Sequence, residues 1–388
     1  MEIKVRGEDM GCKILVVDDI AVNRAIMKVA LNTIEDVEFI EATNGLEVLK
    51  IVNEQEISLV ILDLVMPIKD GFEVLKEMKN TPGLQEIPVI VYSGNEDTES
   101  VSEALELGAY DYFTKPLQPR EMKVILPRKA KNALKSFEQQ KIIQSLNLKM
   151  QVDLLMASVF QQSLLCEEVQ MTNAVMYGKY IPTQDIGGEF FECTQVDDAI
   201  WFIMADASGD GVAAAMLTSM LKVEFQNCIR TLTSPDQVLK VMNNTFCKMT
   251  QGNYSLTAFV GMIRDNAFWY SNAGQPYPLV FHAQKQEIEV LRENSMILGM
   301  VEDEQYLLSQ MEIAPGDMVV TYTQGLIEEK ALNDSLGVYD ELAKCIFDYR
   351  HMIEKDIDGF FNTIFQLFGN ISRERVRDDM AMMLLCMK

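Results

Sequence analysis

A chain of 388 residues is too long for one ordinary core, and its length predicts two domains. With 48% hydrophobic and 24% charged residues both should be globular, while a net charge of −24 argues against nucleic acid or an anionic membrane as the main partner, since either would repel the average surface. Seven scattered cysteines with no Cys-x-x-Cys pair fit free thiols in a reducing compartment better than disulfides or zinc, and two histidines, His282 and His351, leave little room for histidine-based chemistry.

The opening stretch MEIKVRGEDMGCK has no apolar core, and no later apolar run is long enough to span a membrane, so a cytoplasmic location is expected. From Lys13 onward, strand-like runs alternate with amphipathic helical stretches. The runs are KILVVDD, VEFIEA, ISLVILDLVMP, IPVIVYSG and YDYFTKP. This alternation predicts a doubly wound α/β domain with a five-stranded parallel sheet. Ligands of such sheets sit at the carboxyl ends of the strands. Those ends carry Asp18 and Asp19, then Asp63, Ser93 and Lys115. Three converging acids repel one another unless a cation lies among them, and oxygen ligands with little else point to Mg2+. A lysine and a hydroxyl beside them suit an incoming phosphoryl group. The residues alone describe a carboxylate that accepts a phosphoryl group.

The successive intervals of 44, 30 and 22 residues from Asp19 to Asp63, Ser93 and Lys115, with a proline after the lysine, resemble those of two-component receiver domains. The resemblance is taken to cover residues 12–127. It implies that Asp63 is phosphorylated by a sensor histidine kinase or phosphotransfer protein. It implies that Asp18, Asp19 and Asp63 hold Mg2+, that Ser93 and Lys115 contact the phosphoryl oxygens, and that Tyr112 is the aromatic switch residue.

Pro127 is expected to end or kink the last receiver helix. Residues 128–166 then read as a helical linker, rich in Lys, Gln and Leu and free of glycine and proline. Leu148, Val152, Leu155 and Val159 recur at 4-3-4 spacing, a short heptad-like seam. Ile142, Leu146, Met150 and Leu154 form a second stripe. Two readings stand side by side: a helix packed on the following domain, or a coiled coil that makes a homodimer and transmits a signal.

Residues 167–388 change texture to short strands with frequent turns, then helices. WFIMADASGDGVAAAML reads as a buried strand, a glycine-rich turn and a helix opening on small residues, with Asp206 at the strand end and Asp210 in the turn. DIGGEFFE places Glu189 after two glycines, and Asp378 and Asp379 precede an apolar C-terminal strand. In VVTYTQGLIEE an apolar strand breaks at Gln324 and Gly325. GGEFF is similar to the GG[DE]EF signature of diguanylate cyclases, but Phe190 stands where a second acid is required and the upstream acidic strand is missing.

A longer series of motifs resembles the metal-dependent protein phosphatase (PPM) family in its bacterial sporulation and stress-response branch. IGGEFFE, ADASGDG, AGQPYP, PGDMVVTYTQGLIEE and DDMA follow in order where that branch has VGGDFYD, GDVSGHG, AGH.P, PGD…YTDG..E and DD.T. The resemblance implies an α+β fold, a β-sandwich flanked by helices, with Mn2+ or Mg2+ activating water against phosphoserine or phosphothreonine. One ion would be held by Asp206, Gln324 and Asp378, the other by Glu189, Asp206 and the Ala207 carbonyl. Glu189 stands where aspartate is usual and Gln324 where a third aspartate is usual, so the metal site is partly degenerate. Two functions are open at this stage. One is a response regulator whose phosphorylated receiver controls a protein phosphatase acting on a phosphoserine anti-sigma antagonist in a partner-switching pathway. The other is a catalytically silent adaptor that binds a sigma or anti-sigma factor, a layout known from stress sigma-factor delivery adaptors.

Overall fold

A computed structural model describes residues 11–94, 97–183, 186–209, 211–251, 253–332, 334, 336–369 and 378–388. The chain divides into two compact units between Lys149 and Met150.

The first unit is α/β. Its elements are β1 (Cys12–Val17), α1 (Ala21–Leu31), β2 (Val37–Ala42), α2 (Gly45–Glu54), β3 (Leu59–Leu62), α3 (Gly71–Asn80), β4 (Val89–Ser93), α4 (Thr98–Glu106) and β5 (Asp111–Thr114). The strands lie in the order β2-β1-β3-β4-β5, all parallel. Alternate residues feed two cores, one on each face: Leu15, Val17, Val60 and Leu62 on one, Ile14, Val16, Leu59 and Ile61 on the other. Three of the helices, α2, α3 and α4, start on side-chain caps that satisfy otherwise orphaned amides. Asn44 accepts from the Leu46 and Glu47 amides, and Asp70 forms a reciprocal capping box with Glu73.

The helix α5 (Leu126–Leu164) follows a π-helical turn at Glu121–Ile125. Pro127 therefore does not end the last receiver helix. It sits in the first turn of α5, where its missing N–H leaves no bond unmade, and the wider turn before it absorbs the misfit. Leu126, Ala130, Ala133 and Phe137 bury the start of α5 on the sheet. Further along, the first predicted apolar stripe stays open, and so does the second except at Leu154, which is half-buried. Leu148, Val152, Leu155 and Val159 are exposed, as are Ile142, Leu146 and Met150. The buried positions of this stretch are polar instead, Ser158 and Gln161.

The second unit is a β-sandwich between two layers of helices. Its elements are β6 (Glu168–Gln170), β7 (Ala174–Ile181), β8 (Glu189–Val196), β9 (Ala199–Ala207), α6 (Val212–Cys228), α7 (Pro235–Thr250), β10 (Leu256–Arg264), β11 (Ala267–Ala273), β12 (Leu279–His282), β13 (Glu287–Val290), β14 (Ser309–Glu312), β15 (Met318–Tyr322), α8 (Gln324–Ala331), α9 (Gly337–Tyr349), α10 (Ile357–Phe368) and β16 (Met380–Met387). One sheet runs β14-β11-β10-β9-β8 and the other β13-β12-β15-β16-β7-β6. The inner faces supply one core, with Phe191, Phe202, Met204, Phe259 and Met383. The outer face of the first sheet packs Phe190, Trp201, Ile203 and Ala205 on α6 and α7. That of the second packs Val320, Tyr322, Met382 and Leu384 on α8, α9 and α10. The period of two thus fixes which way each strand end points. Glu189 continues the inward series of Phe191, and Asp206 that of Met204. Phe190, buried among the α6 and α7 side chains, has no part in a polar signature.

Candidate functional site

The first site lies where β1, β3, β4 and β5 end. One carboxylate oxygen from each of Asp18, Asp19 and Asp63 lies within 4.8 Å of the others. Asp18 and Asp63 are buried and Asp19 is exposed. Lys115 Nζ donates to Asp18 Oδ2 at 2.6 Å and to Asp63 Oδ2 at 2.5 Å. Burial alone would lower the lysine's pKa, but its two carboxylate partners outweigh it and the net direction is up. Asp18 is fixed from its other side, accepting from the Ile20 amide at 2.8 Å and Asn23 Nδ2 at 3.1 Å. Ser93 Oγ is fully buried and has no hydrogen-bond partner among the described residues. Tyr112 is half-buried next to it. Burial raises the phenol's pKa. All six residues named from the sequence for this end of the molecule, Tyr112 included, meet on one edge. The donor set of three carboxylates fits a hard divalent cation, and the open Ser93 hydroxyl fits a phosphoryl oxygen.

The second site lies at one end of the sandwich. Glu189 opens β8 and Asp206 nearly closes β9, and the register sets them directly opposite each other. Glu189 is buried, and its Oε2 has no hydrogen-bond partner among the described residues. Its pKa is pushed well up, by burial first and then by the charges of Asp379 and Asp206. Asp206 is pushed up to about 7, by burial first and then by Asp378 and Asp379. Ala207 is the last residue of β9, and its amide donates to the Gly188 carbonyl at 3.0 Å.

Gln324 is the first residue of α8, with its side chain exposed. Thr323 anchors that helix start, donating from its amide to the Ala381 carbonyl at 3.0 Å and accepting from the Ala381 amide on Oγ1 at 2.9 Å. The next residue must be glycine: a Cβ on Gly325 would fall 2.1 Å from the Asp379 carbonyl oxygen and 3.2 Å from Asp378 Cβ. This close approach packs the start of α8, at Gly325, against Asp378 and Asp379. Asp210 lies outside the described residues. Among the described residues, no three of the acids at this end approach one another as closely as the trio of the first site does.

Comparison with known proteins agrees with this division. Residues 14–126 match the response regulator receiver domain, and residues 196–388 match the stage II sporulation protein E (SpoIIE) family. The chain is a receiver joined to a SpoIIE-type domain. It is 24% identical over 209 residues to the phosphoserine phosphatase RsbU of Bacillus subtilis, covering 52% of this chain and 61% of that protein. It is 40% identical over 115 residues to the probable transcriptional regulator ycf27 of Porphyra purpurea, covering 30% of this chain and 46% of that one. The chain therefore spans less than two thirds of either relative. The SiaA-PP2C domain of Pseudomonas aeruginosa shares the fold of the SpoIIE-type domain at 15% identity and a TM-score of 0.50, covering 63% of this chain and 99% of that one.

Two features of the SpoIIE-type site escape sequence reasoning. Asp379 is not a spare acid beside Asp378 but a staple. Its Oδ1 accepts from the Thr183 amide and hydroxyl, each at 2.7 Å, and its Oδ2 accepts from Tyr180 Oη at 3.1 Å and the Gly188 amide at 3.3 Å. These bonds join β16 to the loop before β8; burial would raise the Asp379 carboxyl, but a hydrogen bond with the Glu189 side chain first, and then those of Thr183 and Tyr180, hold it below its usual range. The second feature is Gln161 of α5. Its Nε2 donates to the Gly187 carbonyl at 2.5 Å and its Oε1 accepts from the Gly187 amide at 3.2 Å. A side chain of the long helix thereby grips the residue two before Glu189. Nearby, Lys222 of α6 donates to the Leu164 carbonyl at 2.7 Å, closing the end of α5. A polar side chain in a helix signals no target, so only the fold reveals that Gln161 reaches the site.

Proposed function

We propose that phosphorylation of Asp63 controls a metal-dependent protein serine/threonine phosphatase in the SpoIIE-type domain. The observation that carries this reading is the Glu189–Asp206 pair. Two acids face each other in register, both are pushed toward protonation, and one oxygen is buried without a partner. Such a pair suits a divalent cation, whose charge reverses the cost of ionising both groups. Glu189, Asp206, the Ala207 carbonyl, Gln324 and Asp378 would hold Mn2+ or Mg2+, which when bound supplies an activated water and a counter-charge to the phosphoryl oxygens. Asp206 serves both ligand sets. Asp379 and Gln161 position the loop that carries Glu189.

In the receiver, Asp18, Asp19 and Asp63 would hold Mg2+, Lys115 and Ser93 would receive the phosphoryl oxygens, and Tyr112 would follow the change. A sensor histidine kinase or phosphotransfer protein would be the donor. The exposed seam Leu148, Val152, Leu155 and Val159 supports a homodimer through α5. The likeness to RsbU supports a phosphoserine protein as substrate, in our reading an anti-sigma antagonist of a partner-switching pathway in the cytoplasm.

One observation favours a second reading, a silent adaptor for a sigma or anti-sigma factor. The third ligand position is an uncharged amide, Gln324, on an exposed helix start. Mn2+-dependent hydrolysis of a phosphoserine protein, with and without an acyl-phosphate donor for Asp63, separates the two. Turnover that disappears in Asp206→Ala establishes the phosphatase. Absent turnover favours the adaptor, and turnover that returns in Gln324→Asp locates what was lost.

A further inference from the structure

Between β11 and β12 the chain crosses from one sheet of the SpoIIE-type domain to the other, and it crosses at the end where the acids lie. Gln275 Nε2 donates to the Thr257 carbonyl at 3.4 Å, and Thr257 stands directly opposite Asp206 in the β9–β10 register. Two residues on, the Tyr277 carbonyl accepts from Tyr322 Oη at 2.8 Å, and Tyr322 closes β15 two positions before Gln324. The crossing therefore touches both the strand that faces Asp206 and the strand that leads to Gln324.

Its backbone is held firmly. The buried Asn272 donates from Nδ2 to the Gln275 carbonyl at 3.1 Å and accepts from the Gln275 amide at 3.0 Å. Gly274 has a φ of +82°, and a Cβ there would come 2.2 Å from Ile297 Cγ2 and 3.2 Å from Thr257 Cγ2, so only glycine lets the crossing press this close to Thr257. Into this frame Gln275 brings an oxygen that bonds nothing. The residue is 2% exposed, and its Oε1 is buried without a hydrogen-bond partner among the described residues. An amide that aims its nitrogen at a carbonyl keeps its oxygen turned away from it. Glu189 Oε2, in the acid pair, is orphaned in the same way. A buried acceptor without a donor costs stability, and an apolar side chain of like length would avoid that cost.

We propose that Gln275 is a positioning residue of the cation site: its Oε1 is kept open to accept from the hydration shell of the ion held by Asp206, Gln324 and Asp378. The inference rests on the metal site described above and adds a residue to it. Small divalent cations keep several of their waters, and those waters are strong donors. A neutral amide can orient one without adding a further negative charge to Glu189, Asp206, Asp378 and Asp379. The same side chain, through its nitrogen, steadies the β10 segment that faces Asp206.

The test titrates Mn2+ by calorimetry into the full chain carrying Asp63→Asn, alone and with Gln275→Met or Gln275→Glu, and melts each protein in chelator. Gln275→Met should weaken Mn2+ binding about tenfold, as loss of a supporting contact does. Its metal-free melting temperature should hold or rise, because an orphaned oxygen has gone. Gln275→Glu returns an oxygen to the same place and should restore Mn2+ binding to the unsubstituted level. Unchanged Mn2+ affinity in Gln275→Met, with or without a lower melting temperature, marks a merely structural glutamine and overturns the proposal. So does a Gln275→Glu protein that binds as weakly as Gln275→Met. Failure of the underlying reading looks different: the protein with Gln275 intact then binds no Mn2+, and the cation site falls together with its positioning residue.

Discussion

Both units of this chain gather carboxylates at the ends of strands, and they treat the repulsion in opposite ways. In the receiver, Lys115 stands between Asp18 and Asp63 and supplies a cation from the chain itself. In the SpoIIE-type domain, no lysine or arginine pairs with Glu189 or Asp206 among the described residues, and both acids are pushed toward their neutral forms. The receiver's edge is therefore partly neutralised before any ligand arrives, with one lysine against three carboxylates. The other site carries its electrostatic debt until a cation binds. Clustered acids alone do not tell these cases apart; the position of the nearest cation does.

Four experiments break or sharpen that contrast, from the largest effect to the smallest. Asp206→Ala removes the residue shared by both ligand sets, and metal-dependent hydrolysis should fall by more than about a hundredfold, the upper range for mere supporting partners. Lys115→Met should turn the receiver edge into a site of the other kind. It leaves two buried acids unpaired, at about 3 kcal/mol, and calorimetry should show the receiver transition lowered without metal and largely restored by Mg2+. Gln161→Ala leaves the Gly187 amide and carbonyl without partners and should cost about 2 kcal/mol. It should also weaken Mn2+ binding about tenfold, as loss of a supporting contact does.

The fourth concerns pH. Asp206 is raised to about 7 in the folded, metal-free protein, so the folded state holds a proton that the unfolded chain releases from about pH 4 upward. The stability tied to that proton is full below about pH 4 and is lost as pH rises through 7. With chelator, the SpoIIE-type transition should melt lower at pH 8 than at pH 5.5, and Mn2+ should remove the difference. A melting temperature that rises over that interval without metal would count against the uncompensated pair.

Much of this was legible in the sequence, for reasons tied to particular residues. Asp18, Asp19, Asp63, Ser93 and Lys115 each end an apolar strand of a parallel sheet, and in such a sheet all strand ends converge. Glu189 and Asp206 lie beside glycine-rich turns, but only the resemblance to the phosphatase family brought them together; the hairpin that sets them opposite each other emerged with the fold. The linker was harder. Its apolar stripes drew attention to Leu148, Val152, Leu155 and Val159, which are exposed, whereas the side chains that bury are Ser158 and Gln161. Periodicity reports hydrophobicity and is blind to an amide that satisfies a distant backbone. The same limit hid Asp379, whose four bonds come from residues nearly two hundred positions away. Of the two outcomes expected at Pro127, an end or a kink, the helix does not end there: a π-helical turn next to it lets the helix run on.

The most direct measurement is calorimetric titration of Mn2+ into the full chain carrying Asp63→Asn, which mutes the receiver, beside the same protein carrying Asp206→Ala as well. The account predicts saturable Mn2+ binding in the first protein and its loss in the second. No binding in the first, or binding that survives Asp206→Ala, would contradict the claim that Glu189 and Asp206 form the core of a metal site.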